Sequence, residues 1–266
     1  MSKKAINVAE ELAKFRNIKF NDEDHTYVMN GKKLISGTSF VGLFKEKFDS
    51  AKEAEKYAKK HKKNVEEVIA EWDFKRDYSA IKGTYLHAFA ENYWGNKVFP
   101  HDPALSVNRF GEDVVVEDLD KCKEMFKQFY EDASPTLCPI ALELVVGLED
   151  DGIAGMIDKL MWNSKAQEIQ IWDYKTNKEI NMSSKFRKKM KFPIQWLDEC
   201  EYVAYSLQLN LYKYIIEKAT NLKVGDLYLI WITEKNDKYQ LFKCMDVQDE
   251  IKLMVEHYKK EYGADR

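Results

Sequence analysis

The chain lacks the cysteine pattern of a zinc site or a disulfide framework. Its four cysteines, Cys122, Cys138, Cys200 and Cys244, are widely spaced. That spacing excludes a zinc knuckle, and an even count alone is weak support for disulfides. A reducing, intracellular setting is expected. No apolar run approaches the roughly 18 to 20 residues of a membrane span. The N-terminal stretch MSKKAINVAEELAKF has no apolar signal-peptide core, so a cytoplasmic protein without a membrane partner is predicted. An excess of positive charge is also missing: 42 Lys and Arg face 45 Asp and Glu, a net charge of −3. Nucleic-acid binding would then depend on a local patch. No GxxxxGK[ST] stretch marks a nucleotide-driven motor. Neither an internal repeat nor a clear domain linker is visible.

Apolar residues make up 45% and aromatics 13% of the 266 residues, enough for a large core without external staples. Residues 25–37, HTYVMNGKKLISG, read as a hairpin turning at Asn30-Gly31. Thr38 and Ser39 follow as candidate caps of a helix. Residues 45–71, dense in Lys and Glu, read as a solvated helical arm. A helix over 81–94 carries the stripe Leu86, Phe89, Ala90 and Tyr93, with His87 and Glu91 four residues apart on a neighbouring face. Residues 96–108 form a Pro-bearing connection to a helix over 118–132. Strands are predicted at 139–148 and 153–162, joined by an Asp-Asp-Gly turn, and again within 166–176. A long helix over 199–219, strands at 225–233 and 238–244, and a helix over 247–262 complete the order. The fold class is α/β in the mixed, α+β sense: a central mixed sheet flanked by helices, with a helical N-terminal part.

Three charged residues interrupt apolar strands. Asp158 lies in GIAGMIDKLM, Asp173 and Lys175 in IQIWDYKTNKE, and Glu143 in IALELVV. A buried charge is costly unless it is paired or metal-bound. Antiparallel neighbours would bring Asp158 and Asp173 together across the sheet. A divalent cation relieves their repulsion, and an oxygen-rich site suits Mg²⁺ or Mn²⁺. Lys175 shares the face of Asp173 and could act on water or on a phosphoryl group. A salt-bridged strand end, Asp173 with Lys175 or, after a bulge, Asp158 with Lys159, is the competing reading of the same residues. Gln208 and Tyr212 are i,i+4 neighbours on one helix face, set against the sheet.

The order of these residues resembles the RecB-like branch of the PD-(D/E)XK nucleases. GTYLH supplies His87, GMID Asp158, DYK Asp173 and Lys175, and SLQLNLY Gln208 and Tyr212. Within that branch the chain is similar to single-domain exonucleases of phage and of mitochondrial genome maintenance. The resemblance implies a restriction-endonuclease-like core and phosphodiester cleavage with Mg²⁺ or Mn²⁺. It implies metal binding by His87, Asp158, Asp173 and the Tyr174 carbonyl, with Lys175 catalytic. Glu91, Gln208 and Tyr212 would support the site. Residues 1–266 then read as one nuclease domain: a hairpin and helical arm over 1–80, a catalytic core over 81–246 and a closing helix over 247–266. DNA ends or single strands are the implied substrate, replication or recombination proteins the implied partners, and the cytoplasm of a bacterium or phage-infected host the implied setting. The cysteine spacing departs from relatives that carry an iron–sulfur cluster.

The segment SSKFRKKMKF, residues 183–192, holds Lys185, Arg187, Lys188, Lys189 and Lys191 and no acidic residue. It follows the Asp173 strand and is a candidate phosphate track, with Phe186, Phe192 and Trp196 able to stack on bases. Thr38 and Ser39 at a helix start are weaker candidates for a phosphate contact. The rival to a nuclease is a non-catalytic DNA-end or protein-binding module on the same fold. The intact Asp-x-Lys favours the nuclease.

Overall fold

A computed structural model describes residues 7–21, 24–95 and 112–263, with the backbone alone for 112–118. The Pro-bearing connection expected at 96–108 lies outside the described residues. Among those residues the helices are α1 (Val8–Leu12), α2 (Gly37–Leu43), α3 (Ser50–His61), α4 (Val65–Trp94), α5 (Glu112–Ala133), α6 (Glu201–Ala219) and α7 (Gln248–Tyr262). The strands are β1 (Ile18–Asn21), β2 (Thr26–Met29), β3 (Lys32–Ser36), β4 (Leu137–Leu148), β5 (Ile153–Asn163), β6 (Glu168–Lys175), β7 (Val224–Trp231) and β8 (Gln240–Lys243). They form one mixed sheet, ordered β1-β2-β3-β5-β6-β7-β8, with β4 on the other edge of β5. The mixed α/β class is the one that the hydrophobic periodicities predicted.

The β2–β3 hairpin turns where expected. Asn30 and Gly31 have φ of 52° and 84°, the pair of positive values that a type I′ turn needs. The cap of α2 differs from expectation. Ser36, still extended at φ −68° and ψ 149°, accepts the Ser39 N–H, and the helix begins at Gly37. Thr38 and Ser39 are therefore already helical and cannot be its N-cap. The arm and the His87 helix are also one element: α4 runs for 30 residues. No proline breaks residues 71–81, and Arg76 pairs with Asp73 at 2.6 Å across one turn. The first half of α4 packs on α3 through Ala54, Ala58 and Val68. Its second half packs on α5 and the sheet.

Two cores lie on the two faces of the sheet. Ile169 and Ile171 of β6 join Leu207, Leu211 and Ile215 of α6 on one face. Trp172 and Tyr174 join Phe89, Trp94, Phe126 and Phe129 on the other. The period-2 alternation of a strand puts Asp173 and Lys175 on the α6 face. Each fully buried Leu or Ile contributes about 1.5–3 kcal/mol, so the position of α6 over β6 is strongly determined. Parallel pairing of β6 with β7 requires a crossover, and α6 is that crossover. Asp151, in the β4–β5 turn, pins the outer layer. It pairs with Lys218 of α6 at 2.6 Å and Lys259 of α7 at 3.0 Å.

Tyr212 of α6 is wedged against β5. A Cβ on Gly155 would overlap Tyr212 Cε1, so only glycine admits this ring. Gly155→Ala is expected to lower stability by about 3 kcal/mol through overpacking, read by urea unfolding. A wild-type midpoint would show that the ring does not fix this contact.

Candidate active site

The site occupies a gap in the sheet. One edge of β5 pairs with β4 from Ile153 to Asn163, with the register passing over Asp158 and Glu143. The other edge meets β3 at Ala154 and β6 from Lys159 onward, where Lys159 faces Trp172. Residues 155–158 have no strand partner on that edge. Asp158 and Asp173 are the pair just past the last ladder rung, on one face, as their spacing predicted. The Asp158 carboxylate replaces a rung: its Oδ2 accepts the Tyr174 N–H at 3.1 Å. A strand residue sends its N–H and C=O to the same edge, so the Tyr174 carbonyl opens into this gap. The next carbonyl, of Lys175, turns the other way and accepts from Ile232.

His87 reaches the gap from α4, its Nδ1 3.2 Å from Asp158 Oδ2. Glu143 arrives from β4, at a φ of 48° that breaks the strand's regular geometry. Ligand atoms of His87, Glu143 and Asp158 all lie within 4.8 Å of one another. Glu143 stood out in the sequence as a charge within IALELVV, but nothing there aimed it at the site. Glu91, one turn along α4 from His87, is outside that trio and acts on Glu143 and Lys159 through its charge.

Asp173 is 3% exposed. Its Oδ2 is buried without a well-aligned hydrogen bond, while the Lys175 ammonium stands 2.5 Å away as an ion pair. The same ammonium lies 4.7 Å over the Tyr205 ring of α6. Tyr205 was not singled out in the sequence, where it is one apolar position of a periodic helix. Lys159, the expected partner of Asp158 in the salt-bridge reading, turns to the other face and sits 4.1 Å over the Tyr174 ring. Gln208 donates to the Tyr212 hydroxyl at 2.9 Å and to Thr38 Oγ1 at 3.3 Å. Among the described residues these three brace α6 against α2 at the edge of the gap.

The basic segment is largely neutralised. Lys185 pairs with Glu179 at 2.5 Å, Lys188 with Glu46 at 3.1 Å and Lys189 with Asp198 at 2.6 Å. Arg187 and Lys191 have no ion pair among the described residues.

Burial shapes the titration of the cluster. Burial, then the charge of Asp158, pushes Asp173 up to about 6 against the pull of Lys175. Burial, then Asp158, pushes Glu143 up to about 7. Burial opposes ionisation of Asp158 as well, yet His87 and Lys175 hold its carboxyl well below the usual range. Burial disfavours the His87 imidazolium, but Asp158 and Asp173 outweigh it and raise the pKa. Crowded carboxyls beside an imidazole and a backbone carbonyl suit a hard divalent cation.

A model of the PD-(D/E)XK nuclease superfamily matches residues 54–262. The chain belongs to this superfamily. Among curated proteins no sequence matched it. The PD-(D/E)XK pattern is present as Asp158 followed by Asp173-Tyr174-Lys175, brought together across the gap. Among the described residues no helix is long and apolar enough to cross a membrane.

The raised pKa values fix a sign. Protonated Asp173 and Glu143 favour the metal-free fold below about pH 6 to 7, and that contribution is lost as pH rises through those values. A cation needs both groups ionised. Mn²⁺ should therefore bind more tightly and raise Tm more at pH 8 than at pH 5. Calorimetry in buffers of different ionisation enthalpy should find about one proton or more released per ion near pH 6, and few at pH 8.5. Proton release that does not vary with pH would contradict the assignment.

Proposed function

We propose that this PD-(D/E)XK protein is a metal-dependent DNA exonuclease acting on ends or single strands. The observation that supports this most is the convergence of His87, Glu143 and Asp158 within 4.8 Å of one another, with Asp173 and its paired Lys175 ammonium on the neighbouring strand. Lys175 neutralises Asp173 and also presents a positive charge beside the acidic cluster, an arrangement that phosphodiester hydrolysis uses and a binding module does not require. Exonuclease action, rather than internal cutting, rests on the likeness of the motif order to the RecB-like branch.

His87, Glu143, Asp158 and Asp173 would hold Mg²⁺ or Mn²⁺, with the Tyr174 carbonyl. The bound ion supplies Lewis acidity toward a phosphoryl oxygen and lowers the pKa of water. Lys175 presents a fixed positive charge where negative charge develops on the phosphate oxygens. Asp173 and the Tyr205 ring hold that ammonium in place. Water oxygen forms the new bond to phosphorus, and the bond from phosphorus to the 3′ oxygen breaks. The proton shed by water leaves to solvent and the 3′ oxygen gains one, leaving a 5′ phosphate. Gln208, Tyr212 and Thr38 keep α6 and α2 in register beside the reacting atoms. Glu91 adds negative potential behind the cluster.

Backbone contact by the basic segment then falls first to Arg187 and Lys191. Lys185, Lys188 and Lys189 would each have to leave a carboxylate to contact a phosphate, as would the weaker candidate Ser39 its partner Ser36.

End-labelled linear and circular DNA, single- and double-stranded, with and without Mn²⁺, tests the reading. Linear DNA should be degraded to short products only with metal, and circles spared. Cleavage of circles would refute exonuclease action; no cleavage of any substrate would refute the enzyme. Asp173→Asn should abolish turnover while DNA is still bound. Lys175→Ala should cut turnover by about 10³-fold with Mn²⁺ affinity nearly unchanged. Wild-type turnover in either variant would refute these roles. Arg187→Ala with Lys191→Ala should flatten the salt dependence of single-strand binding by roughly 0.7 log units per lost contact. Fluorescence anisotropy with Ca²⁺ in place of Mn²⁺ reads the slope, and an unchanged slope would remove both residues from the binding path.

A further inference from the structure

Lys159 is 1% exposed, among the most deeply buried charges of the described residues. It leaves the centre of β5, opposite Leu142 of β4 and Trp172 of β6. No carboxylate oxygen lies within 4 Å of its ammonium among the described residues. Its close neighbour is the Tyr174 ring, at 4.1 Å. That ring is itself fixed, since Trp94 Nε1 donates to its hydroxyl at 3.0 Å and Phe126 packs on it at 4.5 Å. An ammonium in such an aromatic wall is expensive without nearby negative charge. The charge is supplied by the cluster next to it: Asp158, Glu143, Asp173 and Glu91 all act on it. Strand alternation puts Lys159 and Lys175 on opposite faces, so the carboxylate cluster lies between two cations, each over a tyrosine ring.

From this placement we propose that Lys159 is the built-in counter-charge of the metal site. Its ammonium holds the carboxylates together when no ion is bound and sets how tightly a divalent cation binds. The inference rests on the reading of this cluster as a metal site, and it concerns affinity rather than the chemical step. Lys159 would touch neither substrate nor ion. A positive charge one residue along β5 from Asp158 competes with the cation through the same carboxylates.

Calorimetric titration of Mn²⁺ into wild type, Lys159→Met and Lys159→Arg at pH 7, where the ammonium keeps its proton, tests it, with thermal unfolding in the same buffers. Lys159→Met should bind Mn²⁺ about tenfold or more tightly, and Lys159→Arg near the wild-type value. Metal-free Lys159→Met should melt below wild type, and Mn²⁺ should raise its Tm more than it raises the wild-type Tm. Where Lys159→Met does not fold, Lys159→Gln carries the same expectation. A folded, neutral variant with wild-type Mn²⁺ affinity would overturn the inference, because a packing role predicts a change in stability alone. Absence of Mn²⁺ binding by wild type would instead overturn the reading of the cluster itself.

Discussion

Between Ala154 and Lys159, strand β5 has no strand partner on one edge, and the buried backbone there must still be satisfied. The Asp158 carboxylate meets that need by accepting the Tyr174 N–H. In doing so it spreads β5 from β6 and points a backbone carbonyl, two aspartates and a lysine into one space. The Tyr212 ring lies against Gly155 at the same opening. The candidate site is thus a gap in the sheet, lined by the side chains that take the place of the missing rungs. A sheet paired evenly along β5 and β6 would have no room for an ion or a phosphate.

Charge balance is the second constraint, and it follows from the first. Opening the sheet buries Asp158, Asp173 and Glu143 close together. Lys175, Lys159 and His87 offset part of that negative charge, and raised pKa values remove more through bound protons. The site is poised to exchange protons for a cation. Its surroundings are rigid: the aromatic layer under Tyr174 on one face, α6 on the other, and Asp151 fastening α6 and α7 to the β4–β5 turn. Such closely packed walls let a small set of charges keep its geometry.

Much of this was legible from local pattern. Alternation of apolar residues located β5 and β6, and the Asn30-Gly31 and Asp-Asp-Gly turns set their neighbours. A period of 2 sends Asp173 and Lys175 to the same face of any strand, and antiparallel pairing makes Asp158 their neighbour. The order His87, Asp158, Asp173-x-Lys175, Gln208-x-x-x-Tyr212 pointed to the superfamily whose model matches residues 54–262. Less local features were not legible. β1 was not legible because IKFN, at four residues, is too short to establish a period of 2. The continuity of α4 was missed because charged residues 71–80 carry no apolar stripe, and intrahelical ion pairs support them instead.

By itself, then, the sequence determined element types, their order and the residues of the Asp-x-Lys strand, because those depend on periodicity and near neighbours. Tertiary structure alone decided which side chains meet. Glu143 comes to the site through a positive φ in β4, and Tyr205 through the seating of α6 over β6. Lys159 is drawn away from Asp158 to an aromatic ring on the other face. Three of the five basic residues of the 183–192 segment are neutralised by carboxylates, one of them, Glu46, from a distant part of the chain. Contacts of that kind depend on packing between distant segments, and no spacing within a single strand or helix encodes them.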